Sequence, residues 1–264
     1  MPEIKQPDRI VSSQEMFEEL QNVEPQKKFE TGYYHFDAMT KGFKEGDLTI
    51  LSGLTGSGKT ELAISIAKRY IEQDIVPLFF SYEISTVELF ERFGIPVPVF
   101  YLPRVIKGYG EPTKWIEKKI EEAKKLADIK VVFIDHLHYL VDYMTTRTKN
   151  TSEMLGYMCR EFKNIARKQR VVIILLAHVR KYNTSRPVMQ DIKDSSGIIQ
   201  EADTVILIDR KGKKRSRKSA QNSDEDEEIS VSNRAILYID KVRRRGGKVG
   251  KIDLIFEDDL YKEL

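Results

Sequence analysis

Cysteine is nearly absent from this 264-residue sequence, which contains a single one, Cys159. One thiol cannot form an internal disulfide or a cysteine-rich metal site, so the sequence predicts a reducing, cytoplasmic setting. No segment reaches the roughly 18 consecutive apolar residues that a membrane-spanning helix requires, and the polar start of the chain lacks the apolar core of a signal peptide. We therefore expect a soluble protein without a membrane partner.

No excess of charge of one sign is present either, because 44 basic and 41 acidic residues leave a net charge of +3. Overall charge therefore predicts no polyanionic partner, and such a contact must come from local clustering. Residues 210–218 are mainly basic and residues 223–228 mainly acidic. We predict a mobile charged insertion over residues 210–233, whose basic part could contact DNA or be neutralised by its acidic part.

Short apolar segments alternate with longer amphipathic ones, which predicts an α/β fold with a mainly parallel central sheet flanked by helices. The length and the 41% hydrophobic composition suit one such domain. Predicted strands cover residues 48–52, 76–80, 130–134, 171–177, 204–208 and 234–240. Predicted helices cover residues 59–70, 86–93, 113–126 and 152–168. The last helix carries an apolar stripe at helical spacing, which we expect to pack in the core.

The strongest motif is GLTGSGKT at residues 53–60, the P-loop, which matches G-x-x-x-x-G-K-[ST] between an apolar strand and an amphipathic helix. Its glycines let backbone N–H groups turn toward an anion, and the start of the helix adds a favourable dipole. Lys59 is placed to reach the β- and γ-phosphates, and the Thr60 hydroxyl to join a Mg²⁺ shell. An ordinary glycine-rich turn is the alternative, which the two flanking elements argue against. The predicted nucleotide-binding residues are Gly53, Thr55, Gly56, Ser57, Gly58, Lys59 and Thr60.

Three polar residues follow predicted strands, where a parallel sheet presents its carboxyl ends to ligands. Asp135 is the candidate second Mg²⁺ ligand, with a helix cap or turn as its alternative role. Glu83 could polarise the attacking water, although taken alone it could equally lie on the surface. His178 could bond the terminal phosphate, whereas a lone histidine is more often structural.

In order along the chain, these motifs resemble one family. The P-loop, FSYE at 80–83, IDHL at 134–137, AH at 177–178 and DSSGIIQEAD at 194–203 are similar to the DnaB-type hexameric replicative helicases, which include the mitochondrial relative Twinkle. The stretch at 194–203 is much more specific than the P-loop, which many ATPases share. The resemblance covers residues 31–257 and implies a RecA-like P-loop NTPase with a C-terminal antiparallel extension, acting as an ATP-dependent DNA helicase motor.

The resemblance also implies roles for single residues at the nucleotide site. It makes Glu83 the catalytic glutamate, Asp135 the magnesium-linked acid and His178 the phosphate sensor. The cofactors that it implies are ATP and Mg²⁺.

A second site is implied in KVRRRGGKVG at residues 241–250, where Lys241 and Arg243 resemble a pair that enters the ATP site of the neighbouring subunit. An arginine supplied in trans stabilises the charge on the transferring γ-phosphoryl group, so hydrolysis would require assembly, by the family's pattern into a hexameric ring. Direct binding of a phosphate backbone is the alternative for this basic cluster. The roles of Arg244 and Arg245 stay open.

Two loops are implied as ligands of single-stranded DNA, one at about 143–152 and one at about 180–196. Basic side chains in such loops follow phosphates without reading bases, so binding should be independent of sequence and sensitive to salt. A primase or a loader is the further partner that the family implies. The candidate DNA ligands are Arg147, Lys149, Arg180, Lys181, Arg186 and Lys193.

In the family, a helical or primase domain usually precedes this motor, and from the sequence we expect a departure from that organisation, with the motor domain alone. We predict a linker over residues 1–30 and a motor domain over residues 31–264. Residues 12–22 could form a helix that docks onto a neighbouring subunit, or a frayed terminus.

Two rival functions share parts of this pattern. A solitary RecA- or KaiC-like ATPase that binds nucleic acid or a partner without unwinding would use the same P-loop, and the segments at 194–203 and 241–247 argue against it. A nucleotide kinase would need an acceptor pocket and lid arginines, for which the sequence shows no organised signal.

Overall fold

The computed structural model describes residues 9–106, 110–142, 151–180, 182, 184–193, 195–210 and 232–264, without the side chains of residues 141, 142 and 195. The predicted charged insertion lies outside the described residues, apart from its two ends. Those ends are joined, because Arg210 Nε donates a hydrogen bond to the Ser232 carbonyl. No helix in the described part of the chain is long and apolar enough to cross a membrane.

Ten strands and eight α-helices make up the described fold. The strands are β1 (Lys28–Phe29), β2 (Phe43–Lys44), β3 (Leu48–Gly53), β4 (Pro77–Ser81), β5 (Val131–Asp135), β6 (Val172–His178), β7 (Thr204–Asp209), β8 (Arg234–Val242), β9 (Gly250–Glu257) and β10 (Leu260–Glu263). The helices are α1 (Ser13–Gln21), α2 (Tyr34–Thr40), α3 (Lys59–Ile71), α4 (Thr86–Phe93), α5 (Pro112–Leu126), α6 (Leu137–Asp142), α7 (Thr151–Gln169) and α8 (Ser195–Glu201).

The central sheet has eight strands in the order β10-β9-β8-β7-β3-β6-β5-β4. The strands from β7 to β4 pair in parallel, and β8, β9 and β10 add an antiparallel extension. The predicted fold class is therefore confirmed. Each predicted parallel strand ends one residue later than expected, because the backbone pairing continues beyond the last apolar residue: Gly53 pairs with His178, and Ser81 with Asp135.

Alternate residues of the parallel strands face two apolar layers. One face packs against α5, α6, α7 and α8, and the other against α2, α3 and α4. The predicted apolar stripe of α7 lies in the first layer, where Met158, Phe162 and Ile165 are buried with Cys159. Packing of this stripe in the core is confirmed.

The neighbouring strands β3 and β6 send their connections to opposite faces of the sheet. The helix after β3, α3, packs on one face through Leu62 and Ile66, whereas α8, which follows β6 along the chain, packs on the other through Ile198. Such a reversal opens a crevice beyond the carboxyl ends of the two strands, which is where open α/β sheets bind ligands.

The amino-terminal segment has two parts. Helix α1, capped by the Ser12 hydroxyl, has no buried residue. Strand β1 pairs with β2, and Phe29 is buried in the core. A helix is therefore present within residues 12–22. Its docking onto a neighbouring subunit and the boundary between linker and motor at residues 30 and 31 stay predictions.

Candidate functional site

The P-loop connects β3 to α3 at the carboxyl edge of the sheet. Gly56 and Gly58 have φ angles of +75° and +94°, which L side chains rarely adopt. A side chain at Gly58 would also overlap the buried Tyr261 hydroxyl, which lies directly behind the loop. The two glycines therefore allow the loop to curve around an anion while β10 supports it from behind.

Lys59, the first residue of α3, lies within the curve of the loop. Its Nζ donates hydrogen bonds to the carbonyl oxygens of Gly53 (3.1 Å) and Leu54 (2.9 Å). Burial lowers the pKa of Lys59, and the charges of Glu83 and Asp135 act in the opposite direction. An ammonium group has three donors, so one remains for a phosphate oxygen.

Asp135 and Thr60 meet beside this lysine. The Thr60 hydroxyl donates to Asp135 Oδ2 at 2.9 Å, and Asp135 is fully buried. Burial raises the pKa of Asp135 to about 7, although the bond from Thr60 lowers it. Within the described residues, Oδ1 of Asp135 has no hydrogen-bond partner. A buried carboxylate oxygen without a donor, beside a threonine hydroxyl, fits the oxygen ligand set of Mg²⁺.

Glu83 lies two residues beyond β4 and is half-buried. Its charge raises the pKa of both Lys59 and Asp135, so the Glu83 carboxylate lies near these two residues. This position is compatible with the predicted role in polarising water, which stays a prediction.

His178 ends β6 directly opposite Gly53 of the P-loop. Burial, with the charge of Lys59, lowers the pKa of His178 to about 4, so its imidazole is neutral at neutral pH. Two histidines that the sequence reasoning passed over adjoin it: the ring centroid of His136 lies 3.8 Å from that of His178 and 5.0 Å from that of His138. Their only sequence signal was their place in the IDHLH segment after β5.

Lys241 and Arg243 lie at the opposite end of the sheet from the P-loop of the same chain. Strand β8 runs antiparallel to β7, so its last residue, Val242, pairs with the first residue of β7, Thr204. Thr204 pairs with Thr49 of β3. Thr49 precedes Gly53, the first residue of the P-loop, by four residues, or about 13 Å along the strand.

Both side chains contact helix α8 of their own chain. Lys241 Nζ donates to the Ile199 carbonyl at 2.6 Å, and Arg243 Nη2 to the Gln200 carbonyl at 2.5 Å. Arg243 remains 47% exposed. Neither residue reaches the nucleotide site of its own chain, which is compatible with the predicted action on a neighbour.

The next two arginines, which the sequence left unassigned, differ in their surroundings. Arg244 donates hydrogen bonds to the carbonyl oxygens of Gly42 and Lys41 and forms an ion pair with Asp47. These contacts hold the segment after β8 against the residues that lead into β3. Arg245 is exposed.

Three of the candidate DNA ligands are described. Arg180 and Lys193 are exposed on neighbouring chain segments just beyond His178, whose carbonyl accepts a hydrogen bond from Lys193 N at 3.0 Å. Arg186 instead pairs with Asp240 at 2.7 Å, and its guanidinium lies 5.0 Å from the centre of the Tyr238 ring. A phosphate would have to compete with both contacts. Arg147, Lys149 and Lys181 lie outside the described residues.

Comparison with known proteins gives a consistent result. The family described as the DnaB-like helicase C terminal domain matches residues 29–96 and 107–262. The chain is 28% identical over 265 residues to a probable replicative DNA helicase of Trieres chinensis, covering 88% of this chain and 56% of that protein. The chain therefore spans about half the length of this relative.

Solved structures with the same fold are also found. A structure described as an ATPase domain superimposes with a TM-score of 0.69 at 19% identity, covering 95% of this chain and 96% of that one. A DnaB-like replicative helicase, described together with its interactions with primase, superimposes with a TM-score of 0.70 at 19% identity, covering 97% and 68%. Since the family match includes the P-loop, the strand that carries Asp135 and the segment with Lys241 and Arg243, the chain belongs to the DnaB-like helicase C-terminal domain family.

Proposed function

We propose that this chain is the ATPase motor of a replicative DNA helicase, which hydrolyses ATP between the subunits of a hexameric ring and translocates on single-stranded DNA. The observation that carries the proposal is the separation of two half-sites. The P-loop, Glu83 and His178 lie at the carboxyl edge of the sheet, and Lys241 and Arg243 lie at the other end. A complete site therefore needs two copies of the chain.

Each residue of the nucleotide site has a defined part in the proposed hydrolysis. The P-loop backbone and Lys59 bind the phosphates, while Thr60 and Asp135 would hold Mg²⁺, which would supply positive charge against the phosphates. Glu83 orients and polarises the attacking water. His178, neutral at physiological pH, contacts the terminal phosphate.

The neighbouring subunit supplies the remaining groups. Arg243 stabilises the negative charge that spreads over the γ-phosphoryl oxygens in the transition state, and Lys241 lies beside it. We refer to Arg243 in this role as the finger. Removing such a donor slows turnover by roughly 10³-fold or more in related phosphoryl-transfer systems.

Assembly would be assisted by α1, whose apolar residues Met16, Phe17 and Leu20 are exposed on one face. Its three glutamates make the helix acidic. A groove of about 660 Å³ between α5 and residues 101–105 has an apolar floor, and its rim carries three basic side chains and one acidic one, Glu122, which pairs with Lys119. The rim is therefore basic on balance, which suits α1 of a second copy. The groove is lined by Leu78, Tyr101, Trp115, Arg104, Lys118 and Lys119, among others.

Single-stranded DNA would contact the loops beyond the carboxyl edge of the sheet, through Arg180 and Lys193. Residues 143–152, with Arg147 and Lys149, and Lys181 belong to the same proposal. Arg186 would join them only after releasing Asp240. The proposal also includes a primase or a loader as partner and a cytoplasmic location. The solved structure of a DnaB-like helicase described with primase supports the primase.

Mixed rings test the proposed shared site. Arg243→Ala and Glu83→Gln should each bind ATP but hydrolyse it poorly in the presence of single-stranded DNA. Mixing them creates interfaces where an intact Glu83 meets an intact Arg243, so turnover should partly recover. Sedimentation and a strand-displacement assay on the unmodified protein provide the second readout. Co-assembled mixtures without recovery would refute the finger, and rings that hydrolyse ATP without displacing a strand would favour the RecA- or KaiC-like alternative.

A further inference from the structure

We propose that Asp203 is a positioning residue for the finger: together with the last carbonyl groups of α8, it forms a seat that sets Arg243 for its action on the neighbouring subunit. The finger seat consists of the Ile199 carbonyl, the Gln200 carbonyl and Asp203. The proposal rests on the role given to Arg243 above, and it assigns a function to the segment at 194–203, which the proposed chemistry leaves unused.

The two carbonyls of the seat belong to the C-terminal turn of α8. Carbonyl groups in the last turn of a helix have no partner within the helix and carry partial negative charge, so they attract cations. Lys241 Nζ donates a hydrogen bond to the Ile199 carbonyl oxygen at 2.6 Å, and Arg243 Nη2 donates one to the Gln200 carbonyl oxygen at 2.5 Å. The helix end therefore holds both Lys241 and Arg243.

Asp203 holds Arg243 at two points. Its carbonyl accepts a hydrogen bond from Arg243 N at 2.7 Å, and its Oδ1 lies 3.6 Å from Arg243 Nη1. Because both the backbone and the side chain of Arg243 are held, few alternative side-chain orientations remain for its guanidinium. Because a guanidinium carries five N–H donors and Arg243 is 47% exposed, donors remain available for a phosphate on a neighbour.

Asp203 is itself fixed to the core. Its Oδ2 accepts hydrogen bonds from Leu48 N at 2.8 Å and from the buried Lys163 ammonium. Leu48 is the first residue of β3, the strand that ends at the P-loop. The seat thus connects the finger of a subunit to the strand that carries its own nucleotide site.

The test is Asp203→Asn, which keeps the shape and the acceptor for Leu48 N but removes the charge that faces Arg243. Asp47→Asn is the matched control. Asp47 is also a buried carboxylate, it also accepts a backbone N–H, from Lys44 at 2.6 Å, and it pairs with Arg244, the residue after the finger. Both variants should lose stability, but only Asp203→Asn should slow DNA-stimulated turnover, by roughly 10- to 100-fold, at unchanged ATP affinity.

Complementation in trans distinguishes a positioning role from a purely structural one, because a purely structural defect in Asp203→Asn would not be repaired by a second variant. Mixing Asp203→Asn with Glu83→Gln should recover turnover, because sites with an intact Glu83 then receive a correctly seated Arg243. If Asp203→Asn does not fold, the double variant Lys163→Gln with Asp203→Asn replaces it, since it leaves no unpaired ammonium in the core.

Two results would overturn the seat: no recovery in co-assembled mixtures, or an equal loss of turnover in Asp47→Asn. The mixture of Arg243→Ala with Glu83→Gln separates this failure from that of the proposed function. Recovery in the Arg243 mixture without recovery in the Asp203 mixture refutes the seat alone, whereas failure of both refutes the finger and the seat with it.

Discussion

Replacing Asp135 with asparagine should stabilise the nucleotide-free protein at pH 8 while abolishing its proposed turnover. Asp135 is fully buried, and burial raises the pKa of its carboxyl from 3.8 to about 7. Because the pKa is higher in the folded than in the unfolded protein, folding favours the protonated form. The ionisation penalty is absent below pH 3.8, grows as the pH rises and is complete above about pH 7.

The size of the effect follows from this shift. A shift of about three pKa units corresponds to about 4 kcal/mol once the folded group is ionised. Between pH 5 and pH 8, the free energy of unfolding should therefore fall by about 2–3 kcal/mol through this group alone. The asparagine side-chain oxygen can still accept the hydrogen bond from the Thr60 hydroxyl. Its buried, unpaired amide N–H lowers the free energy of unfolding by about 1–3 kcal/mol at either pH. The stability difference between variant and unmodified protein should thus move by about 2–3 kcal/mol in favour of the variant as the pH rises.

Urea denaturation at pH 5 and pH 8, in chelator and without nucleotide, measures this difference. Asp253→Asn serves as the control for the loss of one carboxylate, because Asp253 is exposed on β9 and lies outside the nucleotide site. A stability difference for Asp135→Asn that moves by less than about 0.5 kcal/mol between the two pH values would refute the assignment of a penalised buried charge.

Three further substitutions test other parts of the structure. Lys59→Ala should reduce ATP turnover by roughly 100-fold or more, because it removes the cation that the P-loop holds toward the phosphates, and comparable turnover in a steady-state phosphate-release assay would contradict the assignment. Glu83→Gln should retain nucleotide affinity but lose roughly 10²- to 10⁴-fold in turnover, since an amide cannot polarise water; a loss of binding in a fluorescent-nucleotide titration would indicate a structural role. Gly197→Ala should lower the free energy of unfolding by about 1–3 kcal/mol, because its Cβ would lie 2.5 Å from Gly156 Cα where α8 crosses α7; an unchanged urea midpoint would contradict that packing.

The α/β class and the course of the individual elements were predictable from the sequence because both depend on local patterns. Buried parallel strands are short apolar runs and amphipathic helices repeat every 3.6 residues, so neighbours in the chain carry the signal. The P-loop was predictable for the same reason, since Lys59 and Thr60 are adjacent to the glycines that shape the loop. The position of β3 between β6 and β7 was not, because these strands are more than 100 residues away from it.

Contacts between distant segments defined the rest of the site. The sequence placed Asp135, Glu83 and His178 at strand ends, yet the resemblance to a family was needed to give each a role. The close contact between the His136 and His178 rings went unpredicted, because it arises only where the ends of β5 and β6 meet.

The basic residues show most clearly what the sequence alone determined. Features that depend on adjacent residues, such as the curved P-loop with Lys59 and Thr60 beside its glycines, are encoded locally, and the sequence determined them together with the fold class. Lysines and arginines in polar loops look alike in sequence, whether they face DNA, a neighbouring subunit or an internal carboxylate. Only the tertiary structure decided that Arg244 pairs with Asp47 and that Arg243 rests at the end of α8, because the carboxylates and carbonyls that hold them come from remote parts of the chain.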